Sequence, residues 1–282
     1  MNASPSLNSA PADLPIGIFD SGVGGLTVLK SVRARLPAEH LLYLGDTARL
    51  PYGTKSAESV IRYAVQAAGH LVERGIKLLV VACNTASAVA MPVLKKEFAP
   101  LPVIGVVEAG AAAGVRASKT GHIAVLATES TVRGGAYERA IKARRADARV
   151  YSQACSLLVA MAEEGWTQGP LVEAVVREYL HPLLEEKKHD GLDCLVLGCT
   201  HFPLLKESIA LSVGPEIRLV DSGETVSREV GKLLAEQNLA RNHNAKGAAR
   251  FLATDGAERF ARVGSLFLEA NLIPRDVDIV DL

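Results

Sequence analysis

The chain has 282 residues, 49% of them hydrophobic and 22% charged, and its 31 acidic side chains are matched by 31 basic ones. That length exceeds one average domain and is ample to bury a core. The charge balance excludes a broad basic surface for nucleic acid or an anionic membrane and leaves a small molecule as the expected partner. Four cysteines in so long a chain, with no signal-peptide layout in Met1 to Pro15, are expected to be reduced thiols of a cytoplasmic protein.

Residues 1–14 read as a flexible polar tail. The apolar run Ile16-Gly-Ile-Phe19 predicts a strand that stops at Asp20-Ser21-Gly22-Val23-Gly24-Gly25, with a helix from Leu26 to Leu36. Leu41 to Leu44 is a second strand, closed by Gly45-Asp46-Thr47, and Pro51-Tyr52-Gly53 has the composition of a turn or lid. Ser56 can cap a helix whose apolar stripe is Val60, Ile61, Ala64, Val65, Ala68, Leu71 and Val72, with Gly75 past its end. A strand then ends at Cys83, one helix runs on to Glu97, and Pro102 to Val107 forms the next strand. Ala99 to Val115 is apolar but carries Pro100, Pro102 and Glu108, which excludes a membrane span.

After Glu108 the pattern repeats. Ile123 to Leu126 parallels Ile16 to Phe19 at an offset of 107, Cys199 parallels Cys83 at 116, and Leu219 to Gly223 parallels Val106 to Gly110 at 113. The β, α, β, α order predicts an α/β fold of two pseudo-repeated lobes, each a mainly parallel sheet flanked by helices, with the site between them. The expected division is 15–107 for the first lobe, with 221–282 returning to it, and 108–220 for the second. The periodicity alone does not assign the late strands Phe251 to Thr254 and Val277 to Val280.

Cys83 and Cys199 each end an apolar run and are followed by small polar residues, Asn84-Thr85 and Thr200-His201. A lone cysteine is more often core, and Cys155 and Cys194 read that way. At a strand end before a helix start, backbone N–H groups are expected to lower a thiol's pKa. The run Gly22 to Thr27 fails the dinucleotide fingerprint, because its third glycine would fall at Thr27; Asp46 keeps a ribose contact open, and the glycines suit a bound carboxylate equally well. A zinc site from Cys83, Cys199 and His201 is an alternative that lacks paired C-x-x-C spacing, so no metal is expected. Asp20 could serve only as a helix cap, and Glu163-Glu164 reads as a solvated pair on a helix face.

Five motifs together resemble glutamate racemases of the cofactor-independent amino-acid racemase group: Phe19-Asp-Ser-Gly-Val-Gly-Gly-Leu26, Gly45-Asp-Thr-Ala-Arg-Leu-Pro-Tyr-Gly53, Ala82-Cys-Asn-Thr-Ala-Ser87, Ala127-Thr-Glu-Ser-Thr-Val132 and Gly198-Cys-Thr-His-Phe-Pro203. The resemblance implies two lobes around one site, no cofactor and a homodimer. It implies interconversion of L- and D-glutamate for peptidoglycan synthesis, with Cys83 taking the α-proton of the D-enantiomer and Cys199 that of the L-enantiomer. Asp20 then stands beside the first thiol and His201 beside the second. A further family carboxylate falls on Glu163 or Glu164, in a stretch that departs from the family's usual proline-containing version. The implied substrate contacts are Asp20, Ser21, Pro51, Tyr52, Gly53, Asn84, Thr85, Thr128, Thr131, Thr200 and His201. The competing readings are an aspartate or hydantoin racemase of the same group, a thiol or zinc-dependent enzyme, and a non-catalytic binder of an anionic amino acid.

Overall fold

The computed structural model describes residues 11–185 and 191–282. In the first half, strands β1 (Ile16–Asp20), β2 (Leu41–Gly45), β3 (Leu78–Val81) and β4 (Val103–Gly105) alternate with helices α1 (Leu26–Arg35), α2 (Ala57–Glu73), α3 (Asn84–Val89) and α4 (Met91–Glu97). Helix α5 (Val106–Ala117) leads into β5 (His122–Ala127), α6 (Glu129–Arg133), α7 (Ala136–Lys142), β6 (Arg149–Ala154), α8 (Leu157–Glu163), α9 (Pro170–Glu185) and β7 (Leu192–Gly198). The chain closes with α10 (Lys206–Val213), β8 (Arg218–Asp221), α11 (Ser222–Glu236), β9 (Ala249–Ala253), α12 (Ala257–Leu268) and β10 (Val277–Ile279).

The strands form a six-stranded sheet, β10-β9-β2-β1-β3-β4, and a four-stranded sheet, β6-β5-β7-β8. Every pairing is parallel. The orders β2-β1-β3-β4 and β6-β5-β7-β8 correspond strand for strand, which is the repeat seen in the sequence, and β9 and β10 extend the first sheet beyond β2. All five residues of β1 and of β2 are buried, as expected of strands covered on both faces.

One apolar cluster fills the space between the sheets. It joins Ile16 and Ile18 of β1 and Leu78 and Val80 of β3 to Leu126 of β5 and Leu195 and Leu197 of β7, with α1, α8, α11 and α12 contributing. Helix α11 packs on both α1 and α5, so it belongs to the joint between the two halves. The outer face of the first sheet is covered by α2, α3 and α4, and that of the second by α5 and α7.

Several local expectations are corrected. The single helix expected to run from Cys83 to Glu97 is two, broken at Ala90, because Pro92 has no N–H to continue the first ladder. The strand expected over Pro102 to Val107 ends at Gly105, and α5 starts at once. The first residues of α5 and α11, Val106 and Ser222, are 116 residues apart, as are Cys83 and Cys199, so the offset of 113 expected for the third repeat landmark is three residues out of register with the structure. Ser56 caps α2 by accepting from Ser59 N–H at 3.3 Å. Residues 1–10 of the expected tail lie outside the described residues. Pro11–Asp13 is a 3-10 turn tied down by the buried Lys77 ammonium, which donates to Ala12 O at 2.6 Å, by a Leu239 O contact at 2.9 Å on the same ammonium, and by an Arg241–Asp13 ion pair. Among the described residues no helix is long and apolar enough to cross a membrane.

Candidate active site

The C-terminal ends of strands from both sheets open on one cavity of about 340 Å³. From the six-stranded side it is lined by Asp20, Ser21, the Leu50–Thr54 segment, Cys83, Asn84 and Thr85, and from the four-stranded side by Thr128, Ser156, Val159, Ala160, Glu163, Cys199, Thr200 and His201. The volume suits a small ligand. A larger groove of about 860 Å³, lined among others by Lys30, Gln168 and Lys206, holds neither sulfur, so volume alone does not locate the chemistry.

Each cysteine ends a strand of a different sheet. Cys83 is the N-cap of α3: its sulfur accepts from Ala86 N–H at 3.5 Å and its thiol lies 3.4 Å from Ser21 Oγ. The expectation of a lowered thiol pKa is overturned here. Burial pushes Cys83 up to about 12, the Asp20 carboxylate adds to it, and the bonds from Ser21 and Ala86 oppose it without prevailing. A six-residue helix offers one useful N–H and little dipole. Cys83 therefore rests as a thiol.

Cys199 faces His201, with Sγ 3.7 Å from Nδ1. His201 Nε2 is 3.0 Å from Glu163 Oε1, and Arg259 donates to Glu163 Oε2 at 2.7 Å. Burial alone would lower the His201 pKa, but its bonds to Cys199 and Glu163 raise it to about 10, so the ring is an imidazolium at neutral pH. Burial favours the acid form of Glu163, yet His201 and Arg259 outweigh it and hold the carboxyl below its usual range. Glu163, not the exposed Glu164, is thus the carboxylate of the cavity, and the solvated-pair reading is corrected for it.

Asp20 is fully enclosed. Burial raises its pKa against the pull of His201 and of the Gly25, Gly22 and Ser21 amides. Its Oδ2 accepts from Gly22 N–H at 3.0 Å, and Tyr43, which donates to Gly22 O at 2.9 Å, lies 3.4 Å away. The glycine run is explained by close packing. A Cβ on Gly24 would lie 2.4 Å from His201 Nδ1 and 2.5 Å from Thr200 Oγ1, and one on Gly25 would lie 2.6 Å from Asp20 Cβ. These glycines let β1 approach the His201 turn, and Thr27 Oγ1 donates across to Thr200 O at 2.9 Å.

The remaining predicted contacts are held by polar bonds that cross between the sheets. Thr85 Oγ1 is 3.3 Å from Thr128 Oγ1 and 3.4 Å from Thr131 Oγ1, and the latter two are 3.1 Å apart. Thr131 does not line the cavity; it sits behind this pair. Tyr137 donates to Asn84 Oδ1 at 2.7 Å, which leaves the buried Asn84 Nδ2 without a protein partner on the cavity wall. Asp46 makes no cavity contact, and the ribose reading is corrected: it accepts from Tyr52 OH at 2.5 Å, Arg49 Nε at 2.7 Å and Thr254 Oγ1 at 3.0 Å. It thereby fixes the segment that carries Pro51, Tyr52 and Gly53. Cys155 and Cys194 are core residues. Among the described residues no three His, Cys, Asp or Glu side chains are grouped to hold a metal ion.

Sequence reasoning missed Ser156 at the N-cap of α8, Val159 and Ala160 on that helix, Tyr137 and Arg259. The first three belong to the helix that carries Glu163 or to its cap, and its periodicity could have offered Val159 and Ala160. Tyr137 and Arg259 touch site residues 53 and 96 positions away in the chain, and no local pattern marks them.

Two parallel α/β halves holding a thiol from each over a shared cleft define a class of enzyme suited to moving protons on both faces of one carbon. Residues 20–230 match the Asp/Glu/hydantoin racemase family, and the chain belongs to it. It is 48% identical to a glutamate racemase of Geobacter metallireducens over 91% of this chain and 93% of the relative. A crystal structure of glutamate racemase from Francisella tularensis in complex with D-glutamate matches with a TM-score of 0.87 at 37% identity, covering 96% of this chain and 98% of that one. A glutamate racemase isoform from Bacillus anthracis matches with a TM-score of 0.88 at 36% identity, covering 95% and 98%.

Proposed function

We propose that this protein interconverts L- and D-glutamate by proton transfer at the α-carbon and so supplies D-glutamate for peptidoglycan. The observation that carries this reading is the pair of strand-end sulfurs, one from each sheet, lining one cavity with a different polar partner beside each.

Inverting a stereocentre requires a proton to leave one face and another to arrive on the opposite face, which two opposed groups reach readily and a single base reaches poorly. In the D-to-L direction Cys83 takes the α-proton and Cys199 delivers one; in the reverse direction the roles exchange. Cys83 must first lose its own proton, and Asp20, whose charge it feels, is the group assigned to receive it. His201 Nδ1 lies within reach of Cys199 Sγ: the imidazolium can return a proton to the sulfur, and the neutral ring left behind can take one from it when the direction reverses. The unpartnered Asn84 amide, the Thr85 and Thr128 hydroxyls and Ser21 are assigned to the substrate's carboxylates, where they offset the charge that builds up on deprotonation. Asp20, Ser21, Pro51, Tyr52, Gly53, Thr200 and His201 complete the substrate contacts, and Thr131 orients Thr128. The Geobacter metallireducens relative at 48% identity and the Francisella tularensis structure at 37% carry the glutamate name, which supports glutamate over aspartate or hydantoins. The lobes are assigned to 15–107 with 221–282 and to 108–220, and the working form to a homodimer in the cytoplasm.

Proton exchange in deuterated water tests the reading. Wild type should carry solvent deuterium into the product enantiomer from either hand of glutamate. Cys83→Ala and Cys199→Ala should each lose racemisation by at least about 10²–10⁴-fold, the scale of general acid–base catalysis. Binding of glutamate without any exchange would defeat the proposal in favour of a binding protein.

A further inference from the structure

The racemase reading leaves Arg259 without a role. It stands on α12, between β9 and β10 of the six-stranded sheet, yet its guanidinium reaches a carboxylate on α8 of the other half. We infer that Arg259 is a positioning residue for proton transfer at Cys199: by clamping one oxygen of Glu163 from across the cleft, it turns the other oxygen onto His201 and so presents the imidazole to the sulfur. The inference rests on the racemase reading and deepens it.

The geometry runs in one line. Arg259 Nη2 to Glu163 Oε2 is 2.7 Å, Glu163 Oε1 to His201 Nε2 is 3.0 Å, and His201 Nδ1 to Cys199 Sγ is 3.7 Å. Each group has one partner on either side, so the orientation of the sulfur's neighbour is inherited from α12. The same helix sets the ring a second way: Phe267 packs edge-on to His201, with centroids 5.1 Å apart and planes at 82°. Gly24 closes the third side of the imidazole. Without Arg259, Glu163 Oε2 has no other bonded partner among the described residues, and the carboxylate can rotate about its last torsion away from His201.

The plain alternative is a half-exposed surface ion pair, worth at most about 1 kcal/mol to stability and nothing to catalysis. Rates alone cannot separate the two. Enantiomers have an equilibrium constant of one, so any variant must lose kcat/KM equally in both directions. Primary isotope effects do separate them, because the α-deuteron of L-[2-²H]glutamate is taken by Cys199 and that of D-[2-²H]glutamate by Cys83.

In Arg259→Met, kcat/KM is expected to fall about tenfold in both directions, the order of a lost hydrogen bond to a charged group. The isotope effect should rise with the L-substrate and shrink toward unity with the D-substrate, since the Cys199 step becomes limiting. Arg259→Lys should move both values back toward wild type. In a Glu163→Gln background, Arg259→Met should cost no more than a further twofold. Arg259 is about half exposed, and unfolding of each variant is followed alongside to keep folding losses separate. Isotope effects that stay unchanged, or that shift alike for both enantiomers, would overturn the inference, as would a full additive loss in the Glu163→Gln background. A wild type that fails to racemise glutamate would instead defeat the proposed function, so the two failures are distinguishable.

Discussion

At the scale of single residues the site depends on atoms that are absent as much as on those present. Gly24 has no Cβ because His201 and Thr200 occupy that space. The imidazole cannot retreat, being held by Cys199, Glu163 and the edge of Phe267. Gly24→Ala should therefore displace the ring or part β1 from the Thr200 turn. A loss of about 10²-fold in racemisation is expected, as for a misplacement near 1 Å, with about 1–3 kcal/mol of stability lost to overpacking. Steady-state assays beside urea unfolding check both, and an Ala variant with wild-type turnover would show the contact to be slack. The glycine run was legible in the sequence as a turn, but its purpose was not, because the groups it accommodates lie some 175 residues further along the chain. The two cysteines, Asp20 and His201 were legible because each sits beside a strand end with a recognisable run around it. The charge state of Cys83 was not, since burial and the neighbouring carboxylate are tertiary facts.

At the scale of elements, alternation of apolar runs with amphipathic segments revealed the succession of strands and helices along the chain and the parallel sheets it implies. What it concealed were the places where one residue ends an element: Pro92 inside an otherwise helical run, and Gly105, after which a helix begins with no loop. The late strands β9 and β10 could not be assigned from the pattern because β9 joins the sheet by pairing with β2, some 208 residues earlier, and β10 reaches it only through β9. Lys77, just before β3, shows how an element start is secured from a distance. It is buried and ion-paired with the buried Glu39, and it also caps the carbonyls of Ala12 and Leu239. Removing one partner of such a pair leaves a charge without compensation. Lys77→Met should cost about 3–5 kcal/mol, and adding Glu39→Gln should recover part of that loss. Chemical denaturation of the single and double variants measures both. A surface-like cost below about 1 kcal/mol would mean that Glu39 finds water in the folded protein.

At the scale of the whole molecule, the two halves are joined by an apolar core and by polar bonds that converge on the cleft: Thr27 to Thr200, Tyr137 to Asn84, and Arg259 to Glu163 to His201. The groups assigned to proton transfer therefore also act as joints, and folding stability should track their protonation. The His201 pKa is raised to about 10 from an ordinary 6.5, so the folded protein holds a proton that the unfolded chain releases. That contribution is complete below pH 6.5 and is lost as pH rises from there through about 10. Glu163 has the opposite sign: its folded value lies below 4.5, so its contribution is present above pH 4.5 and is lost as pH falls through the folded value. Both are at full strength together only between about pH 4.5 and 6.5. Cys83, pushed up to about 12, adds an alkaline loss of its own above pH 9, where thiols of the unfolded chain ionise first. Wild type alone cannot separate these contributions, but a His201→Asn variant can, because Cys83 is unchanged in it. The difference in unfolding free energy between wild type and variant should be largest near pH 6 and should narrow steadily to pH 10, as read from urea titrations at several pH values. A difference that stays constant over that range would mean that His201 enters the fold uncharged, and the imidazolium assigned to the Cys199 side of the cleft would have to be withdrawn.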